Sequence, residues 1–238
     1  GSFADNGNSI SVTGSGADIW KTADEFHYAY RTLAGDGEII ARIVSLTNTN
    51  AYAKAGVMLR ETLAANSRFA LMMMTPGANG AAFQYRTSTG GSAAPSGSND
   101  GVSTLPRWVR IVRAGNLLSG YLSADGISWT LRNSVTLPAL PGTVYVGLAV
   151  TSHNDGTLAT GVFDNVSVVL PTPDSIDPTV PQVRAGSPVG TSRIDLTWSA
   201  SSDSGGSGLA GYRIYRNGSG TALASVTGTS YSDTGLSA

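Results

Sequence analysis

Apolar residues alternate with period two along most of the chain, and helical spacing is rare. From Val144 to Val150, Val144, Val146, Leu148 and Val150 face one way, and Tyr145, Gly147 and Ala149 the other. From Lys54 to Arg60, Ala55, Val57 and Leu59 share one face; Lys54, Gly56, Met58 and Arg60 share the opposite one. Phe69, Leu71 and Met73 repeat the pattern, as do Phe83 and Tyr85 against Gln84 and Arg86, and Val109 with Ile111. Turn signals separate these runs: Pro76-Gly77, Gly90-Gly91, Ala114-Gly115-Asn116, Asp125-Gly126, Pro141-Gly142 and Asp155-Gly156. Many short strands at this spacing predict a β-sandwich. Its core is expected to hold Val57, Leu59, Phe69, Leu71, Val146 and Leu148 together. No long helix is predicted, and Glu61 to Asn66 suggests one turn at most.

The pattern changes after Leu170. Prolines at Pro171, Pro173, Pro178 and Pro181 mark residues 171–180 as an extended linker. A second strand set follows over residues 181–238. Ile194, Leu196 and Trp198 alternate onto one face, Tyr212 to Arg216 form another run, and Asn217-Gly218 marks a turn.

Composition narrows the function classes. Of 238 residues, 13% are charged and the net charge is −1, which gives no electrostatic case for nucleic acid or an anionic membrane. No apolar run approaches the ~20 residues of a membrane helix. Cys is absent, which removes disulfides, thiolate zinc sites and a Cys nucleophile. Neither His27 nor His153 has a second His at zinc-ligand spacing. No Ser/His/Asp motif or phosphate-cradling loop is present.

Four separated segments carry a resemblance. Ala17 to Tyr30 (ADIWKTADEFHYAY), Gly35-Asp36-Gly37-Glu38, Ala53 to Arg60 (AKAGVMLR) and Phe163 to Val168 (FDNVSV) together resemble the concanavalin A-like lectin/glucanase superfamily. The resemblance spans residues 3–169 and implies a lectin-like jelly-roll sandwich. Such domains are appended to large secreted bacterial proteins, many of them polysaccharide hydrolases. In the second set, Pro181, Trp198, Gly211 to Arg216 and Thr229 to Leu236 resemble a fibronectin type III domain. That sandwich has roughly 100 residues, so residues 181–238 are expected to form it only in part, without its final two strands. The expected fold is therefore all-β: a jelly roll over 1–170, a linker over 171–180, and a partial immunoglobulin-like sandwich over 181–238.

The resemblance implies a glycan ligand, and with it an extracellular location and further domains of a parent protein. Glycosidases usually need two carboxylates flanking the scissile bond, and catalytic members of the superfamily line acids along one strand. Here Glu25, Glu38 and Glu61 are far apart, and Asp24-Glu25 are adjacent, so a strand points them to opposite faces. Asp24 and Glu25 read best as a solvated turn or a local salt bridge. A non-catalytic carbohydrate-binding module is expected. The alternatives are a structural or adhesive module without a sugar site and, more remotely, a glycoside hydrolase.

Sugars bind through aromatic rings stacked on C–H faces and planar polar groups bonded to hydroxyls. The face of Lys54 and Arg60, with Gln84, Arg86 and Tyr145, supplies such groups, and Gly56 and Gly147 leave room. Trp20 in a turn-rich start, and His153 and Asn154 in the loop between the last two strands of the first domain, complete the candidates. The competing reading of that face is an ordinary solvated sheet exterior. No cofactor is required. Asp164, in the last strand, is the position where the resemblance implies a structural calcium; the Asp203 to Gly208 loop is a weaker candidate.

Overall fold

The computed structural model describes residues 1–96, 104–170, 177–182, 184–203 and 209–237. Most of the expected linker, residues 171–176, and the acidic loop from 204 to 208 lie outside the described residues. Two compact units emerge, Gly1–Leu170 and Pro171–Ala238.

The first unit is a jelly-roll β-sandwich, and its described residues form fifteen strands: β1 (Ser2–Asp5), β2 (Ile10–Gly14), β3 (Ile19–Trp20), β4 (Ala23–Asp24), β5 (His27–Ala34), β6 (Gly37–Leu46), β7 (Lys54–Arg60), β8 (Phe69–Met74), β9 (Ala81–Arg86), β10 (Ala94–Ser96), β11 (Arg107–Ala114), β12 (Leu117–Ser123), β13 (Thr130–Thr136), β14 (Thr143–Thr151) and β15 (Ala159–Val169). One sheet has the order β1-β2-β15-β6-β11-β12-β13 and the other β10-β9-β8-β7-β14-β5. Every pairing in both is antiparallel. The strands form where the alternation places them, and tight turns close the hairpins. Gly115, between β11 and β12, has φ +60°, a backbone region that glycine adopts without steric cost. Residues 61–66 form bends and turns, not a helix.

The sandwich core fills the space between the sheets. The six-stranded sheet contributes Val57, Leu59, Ala70, Met72, Phe83, Val146 and Leu148; the seven-stranded sheet contributes Ile39, Ala41, Ile43, Val109, Ile111 and Phe163. Phe69 and Leu71 are fully buried but not there. They point to the opposite face and join a second cluster with Ile19, Met58, Met73, Ala82 and Ala149. β8 is apolar at every position, so alternation alone does not fix its phase, and pairing with β7 sets it: Leu59 opposes Ala70, and Val57 opposes Met72.

The second unit contains β16 (Ala185–Val189), β17 (Arg193–Thr197) and β20 (Ser230–Thr234) in one antiparallel sheet, and β18 (Tyr212–Ile214) paired with β19 (Ala224–Val226). Trp198 and Tyr212 meet edge to face at 5.3 Å, and Arg216 forks onto Asp233. All buried hydrophobic side chains among the described residues belong to the first unit. In the second, Leu196 and Trp198 are half-buried and Ile194 is 36% exposed.

Candidate functional site

The outer face of the six-stranded sheet is a grid fixed by strand register. Arg86, Phe69, Arg60 and Tyr145 align across β9, β8, β7 and β14. Gln84, Leu71, Met58 and Gly147 form the next row, and Ala82, Met73, Gly56 and Ala149 the one after. Lys54 lies beside Thr151 at the far end. This face is not a solvated exterior. The hairpin of β3 and β4 lies over part of it and presses Ile19, fully buried, onto the second apolar cluster.

Ion pairing under the hairpin fastens it. Asp24 is neither a solvated turn residue nor a local pair. Its carboxylate is buried and accepts from Arg86 Nη2 at 2.6 Å and Nη1 at 2.8 Å, sixty-two residues away in sequence. Arg60 Nη2 lies 3.5 Å from the same carboxylate. Arg86, 0% exposed, also donates to the backbone carbonyls of Ser67 (2.9 Å), Gly91 (2.9 Å) and Lys21 (3.0 Å). Arg60 donates to the carbonyls of Thr62 (2.7 Å) and Ala64. Their flat guanidinium faces rest on rings: Arg86 over Phe69 at 4.9 Å and Arg60 over Phe26 at 5.1 Å. A buried charge must be paired and hydrogen-bonded to be tolerated, and these two arginines meet that condition through one carboxylate and several carbonyls. They hold the hairpin in place and are not presented to a ligand, contrary to their reading as direct glycan contacts.

Beside the hairpin the grid stays open. A cleft of about 600 Å³ has Lys54, Met73, Thr75, Ala82 and Gln84 among its lining; Ala17, Asp18, Trp20, Lys21, Ala23 and Glu25 come from the β2–β5 segment, and Tyr52, Asn79 and His153 from loops. Four of the candidate residues therefore meet here: Trp20, Lys54, Gln84 and His153. Tyr145 lies further along the face, edge-on to Tyr30 at 5.4 Å. Asn154 sits in the exposed β14–β15 turn.

Asp18 organises the polar end of the cleft, and the sequence reading overlooked it. Its carboxylate pairs with the Lys54 ammonium, accepts the Ile19 N–H at 2.7 Å, and lies 3.3 Å from His153 Nε2. Burial pulls the Lys54 ammonium below its usual lysine value, and Asp18 opposes the change. The His153 ring is tilted against Tyr52 at 5.5 Å. Gly16 closes the corner. Its φ is +137°, and a Cβ there would lie 2.1 Å from the Glu25 carbonyl oxygen. Gln84 is 7% exposed and its Oε1 has no hydrogen-bond partner. Buried polar atoms are normally paired, which makes this carbonyl conspicuous in the lining of a cleft.

Asp164 is occupied elsewhere. Arg42 donates to its two oxygens, through Nε to Oδ1 at 2.7 Å and Nη2 to Oδ2, and Asn165 Nδ2 donates to Oδ1 at 3.0 Å. Its carboxyl is held below the usual carboxylate range by the Arg42 hydrogen bond. These bonds join β15 to β6 across the strands at the position expected to hold calcium. Among the described residues, no three His, Cys, Asp or Glu side chains gather as metal ligands. No helix among them is long and apolar enough to cross a membrane.

No family model matches the chain. It is 49% identical over 67 residues to exoglucanase B of Cellulomonas fimi, a match covering 28% of this chain and 6% of that protein. It is 37% identical over 109 residues to endoglucanase B of Cellulomonas fimi, covering 42% and 10% respectively. The chain thus spans a tenth or less of the length of these relatives. A functionally unknown protein from Saccharomyces cerevisiae has a similar fold in its crystal structure, with a TM-score of 0.58 at 18% identity over 72% of this chain and 92% of the other.

Proposed function

We propose that this chain is a non-catalytic carbohydrate-binding part of a longer, secreted bacterial protein that degrades polysaccharide, and that its glycan sits in the cleft beside the β3–β4 hairpin. The cleft carries the proposal: Trp20 and Tyr52 supply aromatic surface, while Asp18, Lys54, Gln84, Asn79 and His153 supply polar groups around a floor of small and apolar side chains. Sugar recognition needs that pairing of apolar surface with a few placed polar groups. The glucanase names of the two bacterial relatives support the polysaccharide context. The second unit is proposed as a partial fibronectin type III domain, a spacer between modules. Weak sugar contacts would raise the effective concentration of a linked catalytic domain at its substrate.

A hydrolase is the second reading, and one observation favours it. Asp18 and Glu25, separate in the sequence, line the same cleft. Asp18, however, is committed to Lys54 and His153, and the Glu25 carboxylate accepts the Ala17 N–H at 3.1 Å. Binding without turnover is therefore the expected outcome. Isothermal titration of the full chain against plant, algal and fungal polysaccharides, with a reducing-sugar assay on the same mixtures, tests both readings. Binding lost on Trp20→Ala and His153→Ala, with no new reducing ends, supports the module. Turnover abolished by Asp18→Asn or Glu25→Gln establishes the hydrolase. Absence of binding to every glycan returns the chain to a structural or adhesive role.

A further inference from the structure

The chemistry of the cleft restricts the class of sugar it accepts, an inference that rests on the glycan reading above. We propose that the cleft selects an uncharged, hydroxyl-rich sugar and rejects uronates and sulfated sugars.

Two observations point to this independently. The first is the state of the cations. An acidic sugar is best held by a planar guanidinium that forks onto its carboxylate or sulfate. The two arginines on this sheet face, Arg60 and Arg86, are buried beneath the hairpin and committed to Asp24 and to backbone carbonyls. The lysine inside the cleft, Lys54, already has its counter-ion in Asp18. The remaining lysine of the lining, Lys21, is exposed, and the exposed Glu25 carboxylate lines the same cleft. An anionic ligand that reached Lys54 would have to displace Asp18 while lying in a cleft lined by a second carboxylate, Glu25, and like-charge juxtaposition of this kind is an effective means of exclusion.

The second observation is Gln84. Its side chain lines the cleft, and its Oε1 is buried and has no partner. A buried acceptor left unsatisfied is costly, and a ligand donor that satisfies it is selected over an analogue that lacks one. A sugar hydroxyl donates; an ionised carboxylate or sulfate only accepts. Asp18 and Glu25 also line the cleft, so its polar side chains include several acceptors that favour donors from a ligand. A 1,4-linked neutral hexose keeps hydroxyl donors at C2, C3 and C6, whereas the corresponding uronate keeps only those at C2 and C3 and replaces the third with an acceptor.

The test is a matched calorimetric titration of the full chain. One arm uses neutral hexasaccharides: cellohexaose, laminarihexaose, xylohexaose and N-acetylchitohexaose. The other uses hexamers of galacturonate and of mannuronate. The expected result is that the tightest neutral ligand binds at least about tenfold more tightly than either acidic one. Gln84→Met, which keeps the length and removes the acceptor, is expected to weaken that neutral ligand about five- to tenfold. Asp18→Asn, which releases the Lys54 ammonium, is expected to narrow the neutral-to-acidic ratio. Equal or tighter binding of an acidic hexamer overturns the inference and leaves the glycan reading standing. Unchanged affinity in Gln84→Met, with the fold verified by its amide spectrum, overturns the role given to Gln84. No binding in either arm overturns the glycan reading and this inference with it.

Discussion

The two faces of the six-stranded sheet are made by the same strands with the same period, yet they are buried by different means. The inner face is aliphatic and packs on a second sheet: Val57, Leu59, Met72, Val146 and Leu148 need only volume and apolar contact. The outer face mixes Met58, Phe69 and Leu71 with Arg60, Arg86 and Lys54, and is covered by a two-stranded hairpin fastened through Asp24. A hairpin this small buries little by itself. Its attachment therefore depends on directional groups, and it leaves the rest of the face uncovered as the cleft. Non-directional packing gives the unit its stability; directional pairing on the opposite side of the same strands gives it a site.

Four substitutions would break or sharpen this comparison. The largest effect is expected for Arg86→Ala. It leaves the buried Asp24 carboxylate with Arg60 alone, 3.5 Å away, and strips the Ser67, Gly91 and Lys21 carbonyls of their donor; breaking a buried pair typically costs about 3–5 kcal/mol. Chemical denaturation of the full chain should show that loss, and glycan affinity should fall with it because the hairpin wall of the cleft is released. A loss near zero would mean that apolar contact alone holds the hairpin. Next is Leu59→Ala on the inner face, expected to destabilise by about 2–5 kcal/mol through lost burial and a cavity. Its affinity per folded molecule should be unchanged, and reduced affinity at full folding would show that the two faces are coupled. Third, Trp20→Ala should weaken glycan binding about tenfold with a much smaller stability loss, as titration and denaturation of one preparation would reveal.

The smallest effect concerns a half-buried pair, Glu61 with Arg68, bonded at 2.7 Å through both carboxylate oxygens. The Arg68 hydrogen bond holds the Glu61 carboxyl below its ordinary value. The folded pKa is thus the lower one. The pair's contribution is present above the unfolded carboxylate range and is lost as pH falls through the folded value. Solvent screening limits it to under about 1 kcal/mol. Wild type and Glu61→Gln should differ by that amount at pH 7 and converge on acidification, measured by urea midpoints across the pH range. A gap that widens in acid would reverse the sign of the argument.

The sequence made the strands of the first unit legible because burial on one face imposes strict alternation, as in β7 and β14. It made four of the fourteen cleft residues legible, since Trp20, Lys54, Gln84 and His153 are residue types that contact ligands. The phase of β8 was hidden, because a strand buried on both sides reads as a continuous apolar run. That same run held an unused signal. Phe69, Leu71 and Met58 on the face of Arg60 and Arg86 imply a cover over that face, and hence buried arginines in need of a carboxylate. The cover itself was hard to read: β3 and β4 are two residues each, and Lys21, at φ 47°, makes their turn without glycine or proline. Glu25 was set aside as an isolated acid and Asp18 was overlooked, because their convergence depends on how that hairpin folds back.

The glycan cleft is tested most directly through the four tryptophans, Trp20, Trp108, Trp129 and Trp198. Trp20 lines the cleft. Trp108 and Trp129 belong to other parts of the first unit, where Arg42 lies over Trp108 at 6.0 Å and Arg110 over Trp129 at 5.5 Å, and Trp198 belongs to the second. Their indole N–H groups give separate signals in a nitrogen–proton correlation spectrum. Titration with the tightest-binding neutral hexasaccharide is expected to move the Trp20 indole signal saturably and leave the other three in place. A saturable shift of Trp108, Trp129 or Trp198 with Trp20 unmoved would place the glycan elsewhere and contradict the account.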